Sequence, residues 1–120
     1  MQYLLLIYGN EKYWDTLSEA EKNSVSHEYG ELTASFAQSG NLKGGNELAP
    51  VATATTVRIR DGKASVTDGP FAETKEQLGG YYLVETANLD EALALAARIP
   101  SGRWGAIEVR PIIPHEMPAV

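Results

Sequence analysis

The sequence predicts a single α+β domain in which two helices cover one face of an antiparallel sheet. Three observations lead to this class. An almost wholly apolar strand opens the chain at 2–8, and helical patterns at 19–38 and 89–99 are separated by strand patterns. A two-residue turn, Asp61-Gly62, joins two of those strands as a hairpin. The predicted order is therefore βαββ, a long loop, and βαβ, with no internal domain boundary over 1–120.

The composition limits the classes of function. The chain has a net charge of −6, and its lysines and arginines form no cluster, which disfavours binding to a nucleic-acid backbone. With no cysteine, it has no disulfide, thiolate zinc site or cysteine nucleophile. The two histidines, His27 and His115, show no metal-ligand spacing, and no cofactor fingerprint is present, so we expect no metal and no cofactor.

The start of the chain carries no targeting signal. Met1-Gln2-Tyr3 lacks the basic residues of a signal peptide, and no apolar segment with a cleavage site follows. No run of about 18 apolar residues is long enough to cross a membrane. We therefore expect a cytoplasmic protein that does not bind membranes.

The first helix, 19–38, is predicted from its start signal and its periodicity. Ser18 and Glu21 form a capping box, and Gly40 is a typical residue just beyond a helix end. The apolar residues are spaced by four, three and four positions, which places them on one helical face. They are Val25, Tyr29, Leu32 and Phe36.

Residues 41–50, which include Gly44-Gly45, are predicted to be a loop. The hairpin strands at 53–60 and 63–67 follow. Counting back from the turn pairs Ile59 with Ala64 and Val57 with Val66 on one face. The other face then carries Thr56, Arg58, Ser65 and Thr67.

The second half of the chain repeats the strand-helix-strand pattern. A strand at 81–86 is followed by a capped helix, a loop and a last strand at 106–110. The predicted buried stripe of this helix consists of Leu89, Ala92, Leu93, Ala96 and Ile99.

The longest loop carries the first group of candidate site residues. Asp68, Glu73 and Lys75 lie around the Gly69-Pro70 break. Close charges split pKa values, so Asp68 and Glu73 are candidate catalytic acid and base groups, with Lys75 as a substrate-binding group. The alternative is that Asp68 only initiates the turn and that the other two are solvated loop residues.

Three further residues are candidates for substrate binding. Arg58 and Arg110 are predicted on the sheet face away from the helices, where two guanidinium groups can hold a carboxylate. Tyr81 can donate a hydrogen bond to a substrate oxygen. The alternatives are structural ion pairs for the arginines, for example with Glu108, and a packed tyrosine in a strand.

Residues 68–83, DGPFAETKEQLGGYYL, resemble the DGPF-domain proteins of the YCII-related superfamily. The similarity continues at 3–8, 54–62 and 107–111, and so covers nearly the whole chain. It implies a ferredoxin-like α+β fold, a dimeric α/β barrel arrangement and a homodimer. It implies little about activity.

Three functions are compatible with the residues and with this resemblance. The first is binding of a small polar or anionic organic molecule in a cleft at the dimer interface. The second is a cofactor-free isomerase, lyase or dehalogenase-like enzyme, since the superfamily includes a lactone dehalogenase branch. The third is a regulatory or interaction module, since similar proteins are encoded near extracytoplasmic-function sigma factors.

A histidine on the first helix is proposed as a functional group in YCII-related proteins. His27 lies about 190° from the apolar stripe at 100° per residue, on the outward face. It also precedes Leu32 by five positions, where the YCII-type pattern has four. The role is therefore not transferred to His27.

A homodimer is also predicted from the residues alone. The strand at 2–8 is apolar on both faces, but helices can cover only one face of a single sheet. The second face would leave one member of each of three pairs in water, Leu4/Leu5, Leu6/Ile7 and Leu83/Val84. A second copy of the chain would cover them.

Overall fold

Strands and helices alternate along the chain in the computed structural model, which describes residues 1–116. They are, in chain order, β1 (Gln2–Gly9), α1 (Glu11–Asp15), α2 (Glu19–Gln38), β2 (Leu42–Glu47), β3 (Thr55–Arg60), β4 (Lys63–Asp68), β5 (Gln77–Glu85), α3 (Leu89–Ala96) and β6 (Ala106–Pro111). Two short 3-10 turns, Val51–Thr53 and Pro100–Arg103, lie in the connections.

Four strands form one antiparallel sheet in the order β2-β5-β1-β6. Helix α2 connects β1 to β2, and α3 connects β5 to β6, so each helix returns the chain across the sheet. The predicted α+β class, with an antiparallel sheet, is confirmed. The strand order and the two helical crossovers are consistent with the ferredoxin-like fold that the resemblance implies.

The core lies between this sheet and the two helices, because apolar side chains from alternate strand positions meet the apolar stripes of α2 and α3. Leu5, Val84 and Phe36 are fully buried, and Tyr82 packs edge-on against the Phe36 ring. The predicted α2 stripe is confirmed, with Tyr29 half-buried at its margin. The capping box at Ser18 is also present.

The predicted stripe of α3 is partly wrong. Leu89 and Leu93 are both 46% exposed, and Leu95 takes a place in the core. The buried positions are spaced by three, one and three residues, which is the pattern of one helical face, and they are Ala92, Leu95, Ala96 and Ile99. The helix is only eight residues long, so its apolar composition leaves the face ambiguous.

The segment 41–50 was predicted to be a loop, but β2 occupies Leu42–Glu47 of it. Its glycines and asparagine have low strand propensity, and its pairing with β5 overrides that preference. A side chain at Gly45 would meet the Tyr81 carbonyl oxygen at 3.0 Å, so the glycine permits the close approach.

The predicted hairpin is present with the predicted register, since Val57 pairs with Val66 and Arg58 with Ser65. Its place in the sheet was predicted wrongly. Strands β3 and β4 form a separate two-stranded sheet, and the main sheet instead contains β2, which pairs with β5 at its edge.

The base of this hairpin is held at Gly69. Its amide donates to the Ala54 carbonyl at 2.7 Å, and its carbonyl accepts from the Thr56 hydroxyl at 2.8 Å. The backbone at Gly69 has a φ of +97°, which residues with a side chain adopt only under strain. A Cβ at this position would meet no neighbouring atom within 4 Å, so space is not what limits the residue type. The backbone conformation is what requires glycine here.

We expect Gly69→Val to lower the free energy of unfolding by about 1–3 kcal/mol. The measurement is chemical denaturation of the variant and the parent at one protein concentration. Ala72→Val is the control, because it introduces the same valine side chain at an exposed position three residues further along the loop. Equal stability of Gly69→Val and the parent would contradict the strained turn.

Candidate functional site

The sheet face opposite the helices is the main candidate surface, and we call it the open face. Successive side chains of a strand point to opposite sides of the sheet, so the residues adjacent in sequence to the core residues lie on the open face. They are Leu4, Leu6 and Tyr8 of β1, Tyr81 and Leu83 of β5, Asn46 of β2, and Glu108 and Arg110 of β6. The leucines and tyrosines are half-buried without any helix over them, so the face is neither a core nor an ordinary polar surface.

The strand register arranges the open face in two rows. One row runs from Arg110 across Leu4 to Leu83, and the next runs from Glu108 across Leu6 to Tyr81. The central strands β1 and β5 therefore supply the apolar centre. The edge strands β6 and β2 supply the polar margins.

Each margin contains a hydrogen-bonded pair. The Arg110 guanidinium donates to a Glu108 carboxylate oxygen at 2.8 Å, and both side chains are largely exposed. The Tyr81 hydroxyl donates to the Asn46 side-chain oxygen at 2.7 Å. An exposed ion pair of this kind contributes little to stability. A guanidinium has five N–H donors, so Arg110 can bind a second anion beside Glu108.

Arg58 was predicted on the same face as Arg110, and this is wrong within one chain. Arg58 lies on the separate β3–β4 hairpin, where its guanidinium is 3.4 Å from the Phe71 carbonyl oxygen. The two arginines therefore do not form a clamp in the single chain.

The charged residues of the long loop are also not gathered into a site. Asp68 ends β4 opposite Thr55, and Glu73 and Lys75 lie in the exposed connection to β5. Within residues 1–116, none of the three forms an ion pair. Their predicted catalytic and binding roles stay predictions.

Two depressions lie elsewhere on the surface. One is a shallow groove of about 400 Å³ between α3 and β6, and Leu93, Ile107 and Val109 are among its lining residues. The other, of about 530 Å³, lies over α2 beside Arg98. Neither of these two depressions is lined by a predicted site residue.

A polar cluster that the sequence did not indicate lies under α2. The Tyr29 hydroxyl is 2.6 Å from the Ser101 hydroxyl, and the Thr33 hydroxyl is 2.8 Å from that of Tyr82. Burial raises the pKa of Tyr29, against the opposing effect of the Ser101 hydrogen bond. The phenol therefore stays neutral near pH 7 and ties α2 to the turn at Pro100–Arg103.

His27 lies on the outward face of α2, as predicted. Its side chain is 74% exposed, and its Nε2 is 3.0 Å from Glu31 on the next turn of the helix. It faces neither the open face nor the core. The position gives no support for a catalytic role.

Comparison with known proteins identifies the family. A profile of the YCII-related domain matches residues 1–116. An uncharacterized protein of Rhizobium meliloti (strain 1021) is 37% identical over 124 aligned positions, which cover 99% of this chain and 100% of that protein. The chain belongs to the YCII-related family.

Two properties of this YCII-related protein bear on its classes of partner. Over residues 1–116, none of its helices combines the length and the apolar character needed to cross a membrane. The same residues contain no group of three or more histidines and carboxylates placed to hold a metal ion.

Proposed function

We propose that this YCII-related protein is a homodimer that binds a small polar or anionic organic molecule between its open face and a second copy of the chain. The observation that supports the proposal is the composition of the open face. An apolar centre of Leu4, Leu6 and Leu83 lies between the Arg110–Glu108 pair and the Tyr81–Asn46 pair. This is the pattern of a ligand site, mostly apolar with a few fixed polar groups.

The need for a second copy follows from the leucines. Full burial of an exposed leucine is worth about 1.5–3 kcal/mol, and these leucines are half-buried in the single chain, so each gains about half of that. With the two-fold axis, six leucines per dimer would offset much of an association cost of order 4–15 kcal/mol. Turning the two open faces toward each other gives the dimeric α/β barrel arrangement, with a cleft at the polar margins.

The ligand groups can be assigned to the two margins. Arg110 would bind a carboxylate or another anion by charge-assisted hydrogen bonds, and at the other side Tyr81 would exchange its hydrogen bond to Asn46 for one donated to a neutral ligand oxygen. The leucines between them would contact the apolar part of the molecule. We propose binding and not catalysis, because neither Asp68 nor Glu73 forms an ion pair within residues 1–116.

A thermal-shift screen of small carboxylates, phosphates and sulfonates tests this proposal. A ligand at about 100 times its dissociation constant should stabilise the protein by about 2.7 kcal/mol. We expect Arg110→Gln to weaken a hit by at least about tenfold, since hydrogen bonds to charged groups are worth about 1.5–3 kcal/mol. Lys22→Gln removes the same charge on α2 and should leave binding unchanged.

Two results would overturn the proposed ligand site. One is a screen in which no anion-bearing compound binds. The other is a hit that Arg110→Gln and the parent bind equally well, since the anion would then be held elsewhere.

A further inference from the structure

Beyond the leucines, one end of the open face carries a polar row centred on Gln2. The register pairs Gln2 with Glu85 of β5, and on the other side the Gln2 carbonyl accepts from the Ile112 amide at 3.0 Å. Because Tyr3 is buried in the core, alternation along β1 directs Gln2 to the same face as Leu4. The row therefore lies one step outside the leucines that a second copy would cover.

The backbone of Gln2 is fixed, whereas its side chain is exposed. The Met1 carbonyl accepts from the Thr86 amide at 2.9 Å, and with the Ile112 contact this bond holds Gln2 between β5 and β6. The Gln2 side chain makes no hydrogen bond within residues 1–116. Its amide offers two N–H donors and one oxygen acceptor, so it can bind a ligand at a well-defined position.

Arg110 is the diagonal neighbour of Gln2 on the adjacent strand. It pairs with Leu4, two residues along β1 from Gln2. Diagonal neighbours are about 7–8 Å apart, which is within reach of long side chains. The contact with Glu108 engages one terminal nitrogen of the guanidinium, Nη2, at 2.8 Å, so N–H donors remain on the other nitrogens. Those donors and the Gln2 amide together match the two oxygens of a planar carboxylate.

The charged groups on the strands beside Gln2 form two neutral pairs. Arg110 lies 2.8 Å from Glu108, and Lys43 lies 3.7 Å from Glu85. A singly charged ligand therefore competes with one carboxylate for the free donors of one guanidinium. A doubly charged ligand meets the same donors, but it feels twice the repulsion from Glu108 and Glu85. This arrangement favours a monoanion over a dianion.

We propose that Gln2 and Arg110 together form the anion subsite of the open face, and that Glu108 and Glu85 restrict it to a singly charged carboxylate. This inference rests on the proposed function and names its class of ligand, a monocarboxylate whose apolar part lies over Leu4. Gln2 is then a binding residue beside Arg110. The two carboxylates set the charge that the subsite accepts.

A titration followed by heteronuclear NMR tests the subsite, because it observes the Gln2 side-chain amide and the Arg110 Nε–H directly. The probes are hexanoate and hexyl phosphate, which share an alkyl chain and differ in charge at about pH 7. We expect hexanoate to shift both signals and to leave the side-chain amide of Gln38, at the end of α2, unchanged. Hexyl phosphate should bind at least about threefold more weakly, the effect of one more charge about 7 Å from a carboxylate in water.

Two substitutions separate the role of the amide from that of the carboxylates. Gln2→Leu should weaken hexanoate binding by at least about tenfold, because it removes a hydrogen bond to a charged group. Gln38→Leu makes the same change at an exposed glutamine of α2 and should leave binding unchanged. Glu108→Gln should reduce the preference for hexanoate over hexyl phosphate. All three positions are exposed, so the variants are expected to fold.

The outcomes distinguish this inference from the proposed function. If hexanoate shifts the Arg110 signal but not that of Gln2, or if Gln2→Leu binds as tightly as the parent, the shared subsite is wrong and the anion site at Arg110 stands. If hexyl phosphate binds as tightly as hexanoate, the charge restriction is wrong. If neither probe shifts either signal, both the subsite and the proposed anion site are wrong.

Discussion

Leu83→Asp is expected to convert the protein from a dimer to a folded monomer. Leu83 lies at the centre of the open face, opposite Leu4, and its side chain is away from the helices. In the proposed dimer the substitution removes a leucine contact from each copy, worth about half of the 1.5–3 kcal/mol of full burial, and buries two carboxylates, which is the larger cost. We expect the dissociation constant to rise by at least about a hundredfold.

Sedimentation velocity at several concentrations measures this effect, and circular dichroism checks that the variant is folded. Leu93→Asp is the matched control, since it makes the same change on α3, on the helix side of the sheet, where the leucine is already 46% exposed. If Leu93→Asp were a monomer while Leu83→Asp remained a dimer, the interface would lie at the groove between α3 and β6. That result would contradict the account.

Phe36→Ala is expected to cost about 3–5 kcal/mol of stability. Phe36 is fully buried on α2, its ring packs edge-on to Tyr82 with centroids 5.5 Å apart, and the Arg98 guanidinium lies 5.3 Å above it. Truncation removes all of these contacts and leaves a cavity between helix and sheet. A loss of this size is a large part of the total stability of a small domain, about 5–15 kcal/mol.

The chain's other phenylalanine provides the control for this prediction. Phe71 is 78% exposed in the loop after the hairpin. We expect Phe71→Ala to change the free energy of unfolding by less than about 0.5 kcal/mol in urea denaturation at a fixed protein concentration. Equal losses from the two variants would show that the core is not centred on α2 and the sheet.

The features that were predicted correctly are specified by residues close together in sequence. The capping box of Ser18 and Glu21, the stripe of α2 and the pairing across Asp61-Gly62 each depend on a few neighbouring positions. Their geometry follows from the helical period or from a two-residue turn. Tertiary contacts then stabilise the same local structure.

The features that were predicted wrongly depend on contacts between distant segments. Strand β2 exists because β5 pairs with it, which its own glycines disfavour. The hairpin was assigned to the main sheet because local pattern cannot specify which strands become neighbours. This error carried over to the site, since it placed Arg58 beside Arg110. Arg110 itself does lie on the predicted face away from the helices, because alternation within β6 places it opposite Ile107 and Val109, which pack against the core.

Sedimentation equilibrium at low micromolar concentration tests the central claim most directly. The proposed cleft requires two copies of the chain. We predict a single species with twice the 13.0 kDa mass of the chain. A folded, cooperatively unfolding species of 13.0 kDa at that concentration would contradict the account, because the open face would then be stable in water without a partner.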